Sequence, residues 1–192
     1  MKVILIGYRA SGKSTAGMLL SSRLKIPFTD TDLLLEENSG MPIKEIVALK
    51  GWDYFRAMER ETIQTLKQKG AGVIATGGGV VLSNENVTLL KQMGVIVWLN
   101  APLPDIINRL KEDAQTQAKR PQFTDGDLVQ ETADVLKRRI LLYENAADFV
   151  VETKGKSALQ VTDEIYQYLL EAGIVAKIKV TTQVFRLKAE DC

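Results

Sequence analysis

The sequence predicts a three-layer α/β/α sandwich built around a central five-stranded parallel sheet, and three observations carry that expectation. Short apolar runs alternate along the chain with longer stretches of helical periodicity. The runs are almost unbroken in apolar residues, as in Val95-Ile96-Val97-Trp98-Leu99, which is the pattern of strands covered on both faces. A glycine-containing loop joins the first run directly to the first helical stretch. Strand–helix alternation of this kind builds right-handed βαβ units, which lay their strands parallel.

The elements follow in order. Strands are expected at 2–6, 27–30, 71–75, 94–99 and 148–151, and helices at 13–24, 31–39, 42–50, 52–69, 83–93, 102–113, 127–145 and 156–172. The run from Lys2 to Ile6 is short for a secretory signal and leads straight into Gly7, so it reads as the first strand. Residues 114–126 are polar and interrupted by Pro121 and Gly126, which predicts a loop able to serve as a lid over about 113–126. Residues 1–172 read as a single domain. Residues 173–192 read as a C-terminal extension, in which the alternation from Lys177 to Phe185 suggests an added edge strand or a flexible tail.

Composition narrows the function classes. The chain has 192 residues, enough to bury a flanked sheet, with 45% hydrophobic and 26% charged residues, ordinary values for a globular domain. A net charge of +1 gives no global field to draw nucleic acid, and no apolar run reaches membrane-spanning length. The one cysteine, Cys192, rules out an intrachain disulfide and fits a reducing, cytoplasmic setting. A monomer acting on a small molecule is the expectation. There is no histidine, so any proton transfer must use a carboxylate, Lys, Tyr or water.

Gly7-Tyr8-Arg9-Ala10-Ser11-Gly12-Lys13-Ser14-Thr15 fits G-x-x-x-x-G-K-[ST] between a strand and a helix. Each residue type has a reason. Gly7 and Gly12 let the backbone turn so that successive N–H groups face phosphate oxygens. The helix beginning near Lys13 points its positive end at the same anion. Lys13 can reach the β- and γ-phosphates, and the Ser14 hydroxyl can coordinate Mg²⁺. The motif identifies a nucleoside triphosphate and leaves the reaction open.

Asp30-Thr31-Asp32 closes the second expected strand, at the edge where α/β sheets bind ligands. On an extended chain, residues 30 and 32 share a side. One carboxylate can hold Mg²⁺, directly or through water, and the other can orient and deprotonate a hydroxyl; helix N-capping is the competing use. Thr76-Gly77-Gly78-Gly79 closes the third strand, and three glycines suit a ligand that approaches bare backbone. Arg56 and Glu59 are i,i+3 neighbours in a helical pattern, which alone suggests a solvated ion pair.

Taken together, the phosphate loop, Asp30-Thr31-Asp32, Phe55-Arg56-x-x-Glu59 and Gly77-Gly78-Gly79 resemble the shikimate kinase family. Lys119-Arg120-Pro121 is similar to that family's lid motif, and Arg139, Tyr143-Glu144 and Ala147-Asp148 to its R-x-x-x-Y-E-x-x-A-D segment. The resemblance implies a P-loop NTPase fold of the nucleoside-monophosphate-kinase type with a lid. It implies ATP-dependent phosphorylation of the 3-hydroxyl of shikimate, within aromatic amino acid biosynthesis. Carried over by position, Ala10, Ser11, Gly12, Lys13, Ser14 and Thr15 would contact ATP, with Arg109 near the adenine and Arg120 closing on the phosphates. Ser14 and Asp30 would hold Mg²⁺. Asp32 would bind the acceptor hydroxyl as candidate base, with Lys13 and Arg120 also catalytic. Arg56 and Arg139 would clamp the substrate carboxylate, and Gly77, Gly78 and Gly79 would hold substrate through their backbone. A planar guanidinium suits a carboxylate, which fits that assignment.

The sequence departs from the family's pattern at Ala10, where another glycine is common, at Trp52 in place of Glu, and at Leu141 in place of Pro. Two rivals stand beside this reading. One is another P-loop small-molecule kinase, such as a gluconate-type enzyme. The other is a nucleotide-binding regulatory module without catalysis, against which an intact Lys13, Ser14, Asp32 and Arg120 argue.

Overall fold

In the computed structural model, the described residues are 1–112 and 127–179. They form β1 (Lys2–Ile6), α1 (Lys13–Leu24), β2 (Phe28–Asp30), α2 (Thr31–Ser39), α3 (Ile43–Lys67) and β3 (Gly72–Ala75). A 3₁₀ turn (Val80–Leu82) leads to α4 (Asn84–Met93), β4 (Gly94–Asn100), α5 (Leu103–Glu112), α6 (Leu128–Ala146), β5 (Phe149–Glu152) and α7 (Ala158–Glu171). The five strands form one sheet in the order β2-β3-β1-β4-β5, and every pairing is parallel. The expected three-layer sandwich is therefore the observed one.

The central strands β1, β3 and β4 are almost continuous in apolar residues because both faces are covered. Val3, Leu5, Val73, Val95 and Val97 point to one side, where α1 and α7 supply Leu20, Val161, Ile165 and Leu169. Ile4, Ile6, Ile74, Ile96 and Trp98 point to the other, against Ile63, Leu66, Leu90 and Tyr143 from α3, α4 and α6. Period-two alternation assigns neighbours to opposite cores. β1 sits centrally, with β3 on one side and β4 on the other. The crossover from β1 runs past β3 to β2 and the one from β3 runs past β1 to β4, so a crevice opens between β1 and β3 at their carboxyl ends, where the phosphate loop begins.

The expected break near residue 51 is present: Gly51 has φ 81° and ψ 170° inside α3, which bends the helix there. The bend brings Ile43, Ile46 and Phe55 together with Leu35 of α2 in a small core of their own, with Trp52 packed against it. That core walls one side of the cavity described below.

The C-terminal segment departs from expectation. Residues 174–179 are helical, so the edge-strand reading fails for 177–179. Ile174, Val175 and Ile178 lie on one face of that helix and complete the core beneath α1 and α7. Their 3.6-residue spacing prevailed over the period-two pattern that begins at Lys177. The remainder of the expected tail, from residue 180, and the expected lid at 113–126 with Arg120, lie outside the described residues. Among the described residues, no helix is long and apolar enough to cross a membrane.

Ile178 is 1% exposed, so the helix at 174–179 belongs to the domain's core. We expect Ile178→Ala to destabilise the fold by about 2–5 kcal/mol, measured by chemical denaturation. A change under about 0.5 kcal/mol would make that segment a dispensable appendage.

Candidate active site

The phosphate loop is shaped by positive φ angles, 140° at Gly7 and 97° at Gly12. Gly7 also has no room for a side chain, because a Cβ would lie 2.6 Å from the carbonyl oxygen of Leu99. Ala10 adopts φ 59°, so the one loop position that departs from glycine carries left-handed backbone. The Lys13 ammonium donates to the Tyr8 carbonyl at 2.7 Å and lies 3.4 Å from Ser11 Oγ, inside the cradle of the loop. Arg109, in the last turn of α5, donates from Nη1 to the Ala10 carbonyl at 3.0 Å.

One cavity beside this loop is lined by Ala10, Gly12, Lys13, Ser14, Thr15, Asp30, Asp32 and Arg109. A second adjoins it, lined by Ser11, Gly12, Thr15, Arg109, Leu99, Thr153 and Lys156. Arg109 borders both, between the phosphate loop and the start of α7.

Asp30 and Asp32 do not share an extended chain. β2 ends at Asp30, and Asp32 falls in the first turn of α2. The cause is capping: Asp30 Oδ1 accepts from the backbone N–H of Asp32 at 3.0 Å and of Leu33 at 3.4 Å. Its other oxygen, Oδ2, accepts from the Ser14 hydroxyl at 2.6 Å. Capping and a place beside the phosphate loop coexist in one side chain. The helical turn then aims Asp32 elsewhere, into a third cavity. Ser14 and Asp30 are hard oxygen donors at the loop, and no cluster of three or more acidic, Cys or His side chains exists among the described residues. That donor set fits Mg²⁺, which takes one or two protein ligands and keeps phosphates and waters for the rest.

The third cavity is lined by Tyr8, Arg9, Asp32, Ile43, Trp52, Phe55, Arg56, Glu59, Gly77, Gly78, Gly79 and Arg139. The glycine run explains its shape, and each glycine admits a different neighbour. A Cβ at Gly77 would lie 2.5 Å from Asp32 Oδ1 and 3.2 Å from Glu59 Oε1. One at Gly78 would lie 3.1 Å from the Arg9 backbone nitrogen, and one at Gly79 only 2.2 Å from the Arg56 guanidinium. None of the three has positive φ, so the requirement here is space. The run is fixed by Thr76 and Gly77, whose N–H groups donate to the Leu5 carbonyl and to Thr31 Oγ1, both at 3.1 Å.

Electrostatics distinguish this cavity. Among the described residues, Arg9, Arg56 and Arg139 line it against Asp32 and Glu59, which leaves one positive charge when both carboxylates are ionised. Arg56 Nη1 donates to both oxygens of Glu59, at 2.9 and 2.8 Å. Glu59 is only 2% exposed, so this is not the solvated surface pair that the i,i+3 spacing alone suggested. Burial raises the Glu59 carboxyl above its ordinary value, an effect the Arg56 charge opposes. Asp32 is the one residue that lines both this cavity and the phosphate cavity among the described residues.

A sequence profile of shikimate kinase matches residues 9–170. Shikimate kinase from Nitratidesulfovibrio vulgaris is 41% identical over 162 residues, covering 84% of this chain and 92% of its own. Shikimate kinase from Syntrophus aciditrophicus is 38% identical over 171 residues, covering 85% of this chain and 88% of its own. The chain belongs to the shikimate kinase family. Among solved structures, shikimate kinase from Acinetobacter baumannii in complex with shikimate superposes with a TM-score of 0.84, at 31% identity, covering 89% of this chain and 93% of that one.

The structure places Ala10, Ser11, Gly12, Lys13, Ser14, Thr15, Asp30, Asp32, Arg56, Gly77, Gly78, Gly79, Arg109 and Arg139 on the walls of these cavities, and Arg120 lies outside the described residues. It also adds residues the sequence reading left out. Arg9, 8% exposed, sits in the phosphate loop yet faces the charged cavity, with Nη2 3.4 Å from Glu131 Oε1. Its partner lies 122 positions away, so only the fold reveals the pair. Trp52 and Phe55 meet edge to face at 5.8 Å and flank the Arg56 guanidinium. An aromatic pair beside an arginine was visible in the sequence but indistinguishable from core.

Because the Glu59 pKa is raised, the folded state holds this proton more tightly than the unfolded chain. Glu59's contribution to stability therefore falls as pH rises from the unfolded value of 4.5 through the raised one. The ion pair is kept at that cost, which suits an orienting role toward Arg56. On acidification Glu59 protonates at a pH above 4.5, and Arg56 then loses its charged partner. We expect the KM for the phosphoryl acceptor to rise on this acid limb in the wild type. In Glu59→Gln the KM should be raised about three- to tenfold at neutral pH, with the acid limb gone. A superimposable pH profile in the variant would remove Glu59 from this role.

Proposed function

We propose that this chain is an ATP-dependent shikimate kinase that transfers the γ-phosphoryl group to the 3-hydroxyl of shikimate, on the route to chorismate and the aromatic amino acids. The observation that carries the mechanism is the position of Asp32. Asp32 lines both the phosphate cavity and the charged cavity, which supports a role where a hydroxyl in one would meet a γ-phosphate in the other. The net positive lining of the charged cavity complements a monocarboxylate, and its apolar wall of Ile43, Trp52 and Phe55 suits a cyclohexene face.

In this reading the phosphate loop and Lys13 bind the triphosphate, and Arg109 lies beside the base. Ser14 and Asp30 would hold Mg²⁺, which would supply positive charge against the triphosphate. Arg56 and Arg139 orient the carboxylate of shikimate; each has five N–H donors, so a bond to Glu59 or to Gly78 is compatible with one to substrate. The backbone of Gly77, Gly78 and Gly79 lies against the ring. Asp32 accepts the hydroxyl proton as the oxygen attacks the γ-phosphorus and the bond to ADP breaks. That proton leaves late in a loose transition state, so an aspartate suffices and no histidine is required. Arg120, outside the described residues, is assigned by the family resemblance to the phosphates, where its charge would add to that of Lys13. The protein acts as a monomer in the cytoplasm.

Purified protein with ATP and Mg²⁺ should release ADP with shikimate and remain at the no-acceptor rate with gluconate or without acceptor. No release above that control would overturn the proposal, and release with gluconate alone would favour the gluconate-type alternative. Asp32→Asn should lower kcat by roughly 10²- to 10⁴-fold while equilibrium binding of ATP stays within about threefold of wild type. Near-normal turnover would take the base role from Asp32.

A further inference from the structure

We propose that Tyr143 is a positioning residue for the acceptor substrate, holding the Gly78–Gly79 peptide in the orientation the charged cavity requires. It rests on reading that cavity as the shikimate site. Arg139 and Tyr143 lie four residues apart on α6 and so share a face of the helix. Both donate to the same acceptor: Arg139 Nη1 reaches the Gly78 carbonyl at 3.0 Å, and the Tyr143 hydroxyl bonds the same oxygen.

Two donors converging on one carbonyl fix the plane of its peptide. The peptide is trans, so the Gly79 N–H is held in the opposite direction, away from α6. Donation to the carbonyl also polarises the peptide and strengthens that N–H as a donor. A glycine run would otherwise be the least constrained backbone in the site.

The phenol is built for this duty. Tyr143 is fully buried, and its ring stacks on Trp98 of β4 with centroids 5.7 Å apart and planes 20° apart. The hydroxyl is thus delivered to Gly78 by a ring that cannot swing. Burial pushes the phenol up to about 12, so it keeps its proton and remains a donor across the working pH range. Arg139 has a charge to offer substrate; Tyr143 supplies a neutral, permanent donor that leaves Arg139 more of its fork for the carboxylate.

Tyr143→Phe tests this, because it removes one oxygen while keeping the ring and its stacking. In the intact protein we expect the shikimate KM to rise roughly five- to twentyfold, with the ATP KM within twofold and the melting temperature lowered by no more than a few degrees. Without substrate, the amides of residues 77–80 should exchange hydrogen severalfold faster, with the rest of the sheet unchanged. A wild type that turns over shikimate beside a variant with unchanged KM and exchange would overturn the proposal alone. Equal weakening of both substrates would also overturn it, since a general loss of packing would then explain the effect. A wild type inactive on shikimate would overturn the underlying assignment and this proposal with it.

Discussion

The site depends on how closely groups approach the Gly77–Gly79 backbone. Asp32 and Glu59 press against Gly77, the phosphate loop against Gly78, and the Arg56 guanidinium against Gly79, all inside the radius a methyl group would occupy. Two carboxylates, a cation and the nucleotide loop come from α2, α3 and the phosphate loop, and bare backbone lets them converge within one small volume. A Cβ at Gly77 would press on Asp32, one at Gly79 on the Arg56 guanidinium, and one at Gly78 on the backbone of the phosphate loop. Asp32 and Glu59 are buried, so a displaced carboxylate would have little solvent to compensate it. The run therefore acts as a spacer of fixed thickness between the two substrate cavities, and the anchors at Thr31, Arg139 and Tyr143 keep it from collapsing or turning.

That arrangement also accounts for the division between Asp30 and Asp32. Adjacent carboxylates on an extended strand would both face the phosphates and repel each other. Ending β2 at Asp30 and beginning α2 at once rotates Asp32 away by a helical turn, and the cap that does this uses one Asp30 oxygen while leaving the other at Ser14. Local chain geometry thus separates a carboxylate suited to a metal from one suited to a hydroxyl, without any long-range packing. The same economy appears at Gly51, where one residue of left-handed backbone bends α3 and so places Trp52, Phe55 and Arg56 as a wall.

The sheet was legible because strands buried on both faces leave a compositional mark that little else imitates. The phosphate loop was legible because its chemistry is contained in nine consecutive residues. What escaped was whatever depends on distant partners or on a choice between periods. Arg9 sits in the recognised motif, but its direction is set by Glu131 on α6. Glu59 looked like half of a surface pair, but the glycine run packs against it and Asn86 of α4 donates to its Oε2 at 3.4 Å, in a buried setting. Ile174, Val175 and Ile178 were obscured by an alternating pattern that overlaps their helical one, and the exposed edge of the core beneath α1 and α7 decided between the two.

Ala10 shows how a local irregularity can be part of the same logic. A non-glycine residue in left-handed backbone costs roughly 1–2 kcal/mol, and the sequence departs from glycine there regardless. The structure supplies two offsets. The Ala10 side chain packs against a cluster of Ala101, Ile106 and Leu110, worth on the order of 0.8 kcal/mol for one methyl group. Its carbonyl accepts the Arg109 guanidinium, worth roughly another 1 kcal/mol. Both contacts come from α5 or the strand end before it, so the strain is balanced by attachment of the phosphate loop to the element that carries Arg109. Glycine would relieve the backbone but surrender the methyl contact and add flexibility. The methyl contact, which glycine would lack, and the backbone carbonyl bond together join the loop to α5, with Arg109 at the boundary between the phosphate cavity and the one beside it.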